Sequence, residues 1–173
     1  MRPDSSLSLA LVAMVLAAPV SAQWKNSVTR DEMTRATNAY ATSPTVSPTR
    51  VLSFPYASTT AWLGYGCDGE TEWVFVGFTM PPNIINTQPQ EGGYSTFTTR
   101  VKWDEQVDTT RMIQKFGDSF LQFDDGQRAI DHLGKASTAT LELEWYSQST
   151  VYFRFSLRGA SAAIAKAQAS CKK

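Results

Sequence analysis

The chain has 173 residues, and its 16 lysines and arginines are balanced by 16 aspartates and glutamates. This balance gives no electrostatic reason to expect a nucleic acid or an anionic membrane surface as partner. The length fits one ordinary domain that can bury a core.

The N-terminus has the pattern of a secretory signal peptide. Arg2 precedes an apolar run over residues 7–18, Pro19 breaks that run, and small residues lead to Ala22. The run of about 12 residues is too short to span a bilayer as a helix, which argues against the alternative of an uncleaved anchor. We therefore predict a signal peptide over residues 1–22 and a periplasmic or secreted mature chain that does not insert into a membrane.

The only two cysteines are Cys67 and Cys171, and both lie in the exported part. An even pair in an oxidising compartment predicts a disulfide. The alternatives are a reactive thiol or a metal site, but a metal site needs more ligands and the chain has a single histidine. We expect no cofactor and no metal.

Residues 23–49 form a predicted N-terminal arm ahead of one globular domain over residues 50–173. Thr29 and Glu32 have capping-box spacing for a short helix, but the segment lacks a sustained apolar stripe, so a turn or irregular arm is the alternative. Pro44 and Pro48 exclude a helix across the end of the arm.

A hairpin is predicted at the start of the domain. Two β-prone runs, residues 61–67 and 70–78, flank Asp68-Gly69, a strong two-residue turn signal. This turn would pair Cys67 with Glu70 and place Gly64 opposite Trp73, leaving room for the indole to lie over the neighbouring strand.

The rest of the chain alternates between strand and turn patterns before a closing helix. A loop is predicted over residues 80–93 and a turn over 104–108. Strands are predicted over residues 94–103, 110–116, 119–123, 139–146 and 151–157. A short helix should begin at Asp124 or Asp125 and end at Gly134, and an alanine-rich helix should cover residues 161–169, with Cys171 just beyond it.

The last two strands fix a predicted register. Pairing Leu143 with Phe153 keeps apolar side chains together, places Glu142 opposite Arg154, and requires an odd loop over residues 147–149. The element order indicates an α+β, mainly β fold, a twisted antiparallel sheet or small sandwich with a short helix and a C-terminal helix packed on it.

Catalytic patterns are sparse. His132 follows Asp131 on a helix, where neighbours point about 100° apart, so Asp131 is poorly placed to orient it. We interpret His132 as a helix-surface residue. The acidic clusters are candidates for glycosidase-type catalysis, although each also suits a turn, a loop or a helix N-terminus. They are Asp68, Glu70 and Glu72; Asp104, Glu105 and Asp108; Asp124 and Asp125.

Aromatic residues are numerous on the predicted strands. Most must pack in the core. Tyr65, Tyr146 and Tyr152 are placed on faces or turns that can be open, and exposed aromatics are typical of carbohydrate or protein recognition. These three tyrosines are the predicted binding residues.

Several motifs taken together resemble small exported bacterial and phage-associated proteins without a settled function. The motifs are Asp31-Glu32-Met33-Thr34, Ser47-Pro48-Thr49, Phe54-Pro55-Tyr56, residues 66–74 and residues 151–159. The pattern is distantly similar to the VasI/TagO type of periplasmic accessory protein of type VI secretion. Cys67 matches that type's central cysteine, and Phe155, Leu157, Gly159 and Cys171 match its ending, whereas the region around Asp31 departs from it. The resemblance implies fold and disulfide, and no catalytic residue.

We therefore expect a non-enzymatic periplasmic or secreted binding or accessory protein. Its partner would be a periplasmic or cell-envelope protein or a glycan. The alternatives are a cell-wall glycan or peptide hydrolase that uses acidic residues, and a phage-derived inhibitor or exclusion factor that binds a protein through a loop such as residues 81–93.

Overall fold

The structure, a computed structural model, describes residues 24–115 and 117–172. The predicted signal peptide lies outside these residues. The strands are β1 (Lys25–Arg30), β2 (Thr37–Thr42), β3 (Ala61–Cys67), β4 (Glu72–Phe78), β5 (Gln88–Gln90), β6 (Tyr94–Trp103), β7 (Gln106–Lys115), β8 (Phe120–Phe123), β9 (Thr138–Trp145) and β10 (Ser149–Ser156). The helices are α1 (Gly126–Lys135) and α2 (Ala160–Cys171).

The strands form one antiparallel sheet in the order β1-β2-β3-β4-β8-β7-β6-β9-β10, with β5 paired to β6. The extended segment around Val46 and Pro48 bridges Ala61 of β3 and Phe153 of β10, which are distant in the strand order. The sheet therefore curls around its core, as twisted sheets do. The prediction of an α+β, mainly β fold is confirmed.

The core lies on the concave side of the sheet, under the helices. Alternate residues are buried on this side, most clearly in β8, β9 and β10. Helix α2 contacts β1, β2 and β3, and α1 contacts β4 and β8. Phe78 packs edge-on against Trp145 and Phe153, and all three are almost completely buried. The opposite side of the sheet carries no helix in the described part of the chain.

The predicted arm contributes two strands to the sheet, because it contains β1 and β2. Ala39 and Ala41 are fully buried small residues, so β2 can lie close beneath α2. The short-helix alternative is wrong. The Asp31 carboxylate accepts hydrogen bonds from the backbone N–H groups of Met33 and Thr34, which makes a tight turn between the two strands.

The β3–β4 hairpin has a different register from the predicted one. Cys67 pairs with Glu72, two residues later than expected, because the loop has four residues. The Asp68 carboxylate accepts hydrogen bonds from the backbone N–H groups of Glu70 and Thr71, which stabilises the longer loop. The sequence pair Asp68-Gly69 indicated a turn correctly, but a side chain decided its length.

The β9–β10 hairpin is also shifted by two residues. Phe153 pairs with Leu141 instead of Leu143, and the loop comprises residues 146–148. The loop is still odd, so every side chain keeps its predicted face. The residues predicted to be buried in this hairpin are therefore buried, although the predicted pairing was wrong.

The shift changes the partners on the outer face. Arg154 lies opposite Thr140, and Glu142 lies opposite Tyr152. The predicted Glu142–Arg154 pair is wrong. Glu142 instead binds Arg100 of β6, with Arg100 Nε 2.7 Å from the carboxylate. The positive charge that pairs with Glu142 thus comes from β6, and the prediction considered only β9 and β10.

Helix α1 begins as predicted and ends later. The Asp125 carboxylate accepts a hydrogen bond from the backbone N–H of Arg128 and caps the N-terminus. Gly134 does not end the helix. The chain leaves it at Ala136, which is extended.

The disulfide prediction is confirmed. Cys67 of β3 and Cys171, the last residue of α2, have sulfurs 2.01 Å apart and Cα atoms 6.2 Å apart. Helix α2 is longer than the predicted residues 161–169, so Cys171 lies within it. The bond joins α2 to the inner side of β3, an arrangement consistent with an oxidising, exported environment.

Candidate functional site: an aromatic row on the open face of the sheet

The three tyrosines predicted to bind do not form one site. Tyr65 points into the core and is completely buried, so its prediction as an open residue is wrong. Burial, with the nearby Glu72 carboxylate, raises the pKa of Tyr65. The alternation that assigned its face was ambiguous, because both faces of β3 carry large apolar groups or glycines.

Tyr146 and Tyr152 are exposed but separate. Tyr146 lies in the loop after β9 and Tyr152 on the outer face of β10. A hydrogen bond to the Glu142 carboxylate is the main reason that the pKa of Tyr152 is raised. Neither tyrosine packs against another aromatic ring among the residues that the structure describes.

Five other aromatic residues gather on the open side of the sheet, opposite the core. They are Trp73, Tyr40, Phe75, Phe120 and Trp62, in their order across the surface, and we call them the aromatic row. They come from β2, β3, β4 and β8. None of them belongs to the main core cluster, although Phe75 is only 8% exposed.

Three rings of the row lie flat because glycines stand beneath them. A Cβ added at Gly64 would lie 2.3 Å from the Phe75 ring, and one at Gly66 would lie 2.5 Å from the Trp73 indole. A Cβ at Gly77 would lie 2.3 Å from the Trp62 indole.

Each of these Cβ positions is close to several adjacent ring atoms at once, so it stands over the face of the ring. One face of each ring therefore packs on glycine backbone, and the other face points away from the sheet. Any larger residue at the three glycine positions would lift the ring.

Tyr40 and Phe120 stand upright between the flat rings. Tyr40 makes edge-to-face contacts with Trp73 and Phe75, with ring centroids 6.1 Å and 6.4 Å apart. Phe120 does the same with Phe75 and Trp62, at 5.6 Å and 6.0 Å. These are favourable geometries for aromatic pairs. The row is thus a rigid surface in which flat rings alternate with upright ones, and Phe120 is 43% exposed.

The row is flanked mainly by neutral polar side chains, and the exposed Lys25 of β1 lies opposite Thr42 on the same face. Gln122 of β8 pairs with Phe75, and Ser27 of β1 pairs with Tyr40. Asn38 and Thr42 lie two residues from Tyr40 along β2, on the same face. No outward position of β2, β3, β4 or β8 carries a charge.

A second cluster surrounds the single histidine. His132 Nε2 lies 3.0 Å from Asp108 Oδ2, and Arg128 lies 3.2 Å from the other oxygen of the same carboxylate. The imidazole also stacks on Trp103, with ring centroids 4.8 Å apart. His132 is thus on the helix surface, as predicted, and Asp108 of β7 lies beside its imidazole. Sequence reasoning missed this partner because it lies 24 positions earlier, on another element.

The cleft beside His132 is wide and has a volume of about 560 Å³. Its acidic lining includes Asp104, whose carboxylate accepts hydrogen bonds from the backbone N–H groups of Ser137 and Thr138. These bonds, with that of Ser137 the most important, lower the pKa of Asp104. A carboxylate so held stays ionised and is a poor general acid.

The other acidic clusters have structural partners as well. Hydrogen bonds from its loop, first from the Thr71 backbone, lower the pKa of Asp68. Asp124 forms an ion pair with Arg111 at 2.6 Å. No group of three or more histidine, cysteine, aspartate or glutamate side chains is arranged to hold a metal ion among the described residues.

Sequence reasoning passed over the aromatic row except for one correct idea, that a glycine opposite a tryptophan makes room for the indole. The pairs are Gly66 with Trp73 and Gly64 with Phe75 rather than Gly64 with Trp73. The signal that could have revealed the row is the alternation of glycine and aromatic residues along β3 and β4.

Comparison with known proteins adds no relative. No family model matches the chain, and neither the curated proteins nor the solved structures include a significant match. The resemblance to the VasI/TagO type therefore stays a prediction. Within residues 24–115 and 117–172, no helix combines the length and apolar character needed to cross a membrane.

Proposed function

We propose that this protein is an exported, non-enzymatic binding or accessory protein of the cell envelope, and that the aromatic row is its binding surface. The observation that supports the proposal is the row itself. Five aromatic rings lie together on the side of the sheet opposite the core. The solvent-facing side of an antiparallel sheet usually carries polar side chains at such positions.

The residues of the row lower the stability of the sheet, and the core does not need them. Glycines within strands weaken them, and aromatic surface left in water forgoes burial. Three glycines and five aromatics nevertheless occupy matched positions there. Residues that lower local stability in this way are typical of functional surfaces.

The shape of the row favours binding over catalysis. Enzyme sites are usually concave and bring together polar groups with perturbed pKa values. The row is a surface of rings whose neighbours are mainly neutral, which provides contact area without a reacting group. The predicted signal peptide and the resemblance to exported accessory proteins agree with a role in the envelope.

The hydrolase alternative has one observation in its favour, the His132–Asp108 pair beside an open cleft. An imidazole beside a carboxylate can serve as a general base. We expect His132→Gln to leave envelope binding unchanged and to destabilise the fold by about 1 kcal/mol or less. A hundredfold loss of a measured hydrolytic activity, with normal folding, would support the hydrolase instead.

The test is co-sedimentation of the mature, oxidised protein with an isolated bacterial envelope fraction. We expect Trp62→Ala and Phe120→Ala to reduce the bound fraction at least fivefold. Tyr152→Ala is the matched control, since it removes an exposed aromatic from the same side of the sheet outside the row. Equal binding by the wild type and all three variants would refute the row as the binding surface.

A further inference from the structure

We propose that the ligand of the aromatic row is a flat, neutral glycan strand built from equatorially linked pyranose rings, of the β-1,4 type. This inference rests on the proposed function and names its ligand class. Three features of the row support it: the orientation of the rings, their spacing, and the chemistry of the side chains beside them.

The orientation of the rings suits the faces of sugars. Trp62, Trp73 and Phe75 each pack one face on a glycine, and the two indoles are the flat rings that stay partly exposed, since Phe75 is only 8% exposed. The face of an aromatic ring is negative, and the C–H groups on the face of a pyranose carry partial positive charge. A sugar ring that lies parallel to a flat indole therefore gains both apolar contact and electrostatic attraction.

The arrangement is extended, which suits a chain rather than a single sugar. The row continues over five rings whose neighbouring centroids are 5.6–6.4 Å apart. Equatorial linkage keeps successive pyranose rings in a flat ribbon, so several units can contact the row together. Many weak contacts along a preorganised surface add up to useful affinity.

The upright rings define where the ribbon can lie. Phe120 and Tyr40 stand on either side of Phe75 and leave it only 8% exposed. The most accessible flat faces are therefore those of Trp62 and Trp73, at the two ends of the row. The glycan would turn its ring faces toward these indoles and pass over the edges of the two upright rings that lie between them.

The polar side chains beside the row complete the match. Ser27, Asn38, Thr42 and Gln122 are neutral groups that donate and accept hydrogen bonds, as sugar hydroxyls require. Nucleic acid would need several cations for its phosphates, and Lys25 is the one cation of β1 that pairs with β2 on this face. A protein partner would be expected to insert anchor residues into pockets, and the space between the two upright rings is already filled by the Phe75 ring.

Tryptophan fluorescence provides a direct test, because Trp62 and Trp73 are in the row while Trp24, Trp103 and Trp145 are buried in the core. The probe is chitohexaose, a neutral β-1,4-linked hexasaccharide. The control ligand is maltohexaose, whose axial linkages give a coiled chain. We expect saturable quenching by chitohexaose and at least tenfold weaker binding of maltohexaose.

Variants locate the binding. We expect Trp62→Ala and Trp73→Ala each to weaken chitohexaose binding at least tenfold, and Tyr152→Ala to leave it unchanged. Heteronuclear NMR of the wild type is a second measurement that does not depend on the variants folding. Shift changes confined to β2, β3, β4 and β8 support the inference, and changes confined to the His132 cleft refute it.

The outcomes separate this inference from the proposed function. If envelope binding requires the row but neither hexasaccharide binds, the glycan assignment is wrong and the binding function stands. If the protein forms a dimer whose contacts bury the row, the row is a self-association surface and the glycan assignment is also wrong. If envelope binding ignores the row, the proposed function fails.

Discussion

The outer face of the sheet has two halves, and they differ in the kind of side chain that points away from the core. The aromatic half comprises the outward positions of β2, β3, β4 and β8. The polar half comprises those of β6, β9 and β10, where Arg100 and Glu142 form an ion pair and Thr150 hydrogen-bonds Glu144. Both halves cover the same kind of apolar core, so the core does not require the difference.

The polar half has the polar outward side chains that are usual for an antiparallel sheet, and the aromatic half does not. Threonine and charged residues on β6 and β9 are the usual outward residues of an antiparallel sheet. The aromatic half instead keeps rings in place with glycines, which makes it rigid and apolar. Substitutions in one half at a time, or in the residues that support it, test this difference.

The largest expected effect comes from the disulfide that ties α2 behind the aromatic half. Replacing both Cys67 and Cys171 with serine should lower the free energy of unfolding by about 4–5 kcal/mol, because the unfolded chain regains the freedom of a long loop. Denaturant unfolding measures this loss. Hydrogen exchange should show the same loss for the most protected amides of β2–β3 and of β9–β10, because the change acts through the unfolded state. A greater loss in β2 and β3 would show that the bond also stabilises the aromatic half locally.

Phe153 and Phe120 provide the next comparison. Phe153→Ala should cost about 3–5 kcal/mol, because the residue is completely buried beneath the polar half. Phe120→Ala should cost about 1 kcal/mol or less, since its ring is 43% exposed. Denaturant unfolding of both variants tests the pair. Equal costs would mean that the row is part of the stabilising core.

A smaller effect is expected from Gly66→Ala. The new methyl group would lie 2.5 Å from the Trp73 indole, so the ring must lift, at a cost of about 1–3 kcal/mol. Near-ultraviolet circular dichroism should change with it. Gly134→Ala is the matched control, because nothing lies within 4 Å of its Cβ position in α1. That control should be neutral or stabilising by up to about 1 kcal/mol.

The smallest effect concerns the ion pair of the polar half. Arg100, chiefly through its hydrogen bond, lowers the pKa of Glu142 below 4.5. Because the folded-state pKa is the lower one, the pair stabilises the protein at neutral pH, and this stabilisation is lost as the pH falls below about 4.5 through the folded-state pKa. Glu142→Gln should flatten that part of the stability curve and leave glycan binding unchanged. An unchanged curve would show that the pair contributes nothing.

Much of the fold could be predicted from local pattern. Strand β6 has the predicted bounds, and α1 begins after the predicted cap at Asp125. The registers of both predicted hairpins were wrong by two residues. A shift of two preserves which side chains face the core, so periodicity alone cannot detect it. The β3–β4 loop length was decided by hydrogen bonds to Asp68.

The candidate site was harder to predict. Tyr65 was expected to be open and is buried, whereas Trp62 and Trp73 were expected on strands without a site. Which face of a strand is open depends on where the helices pack, and this is a property of the whole chain. The partner of His132 was missed for the same reason, because β7 and α1 meet only in the folded protein.

The sequence by itself determined the mainly β class, the disulfide between Cys67 and Cys171 and most strand positions, because these depend on period, composition and cysteine number. Only the tertiary structure decided which side of the sheet the helices cover and how β2, β3, β4 and β8 bring five rings into one row. The physical reason is that alternation assigns residues to two faces without saying which face is buried. Burial is settled by packing between elements far apart in the chain.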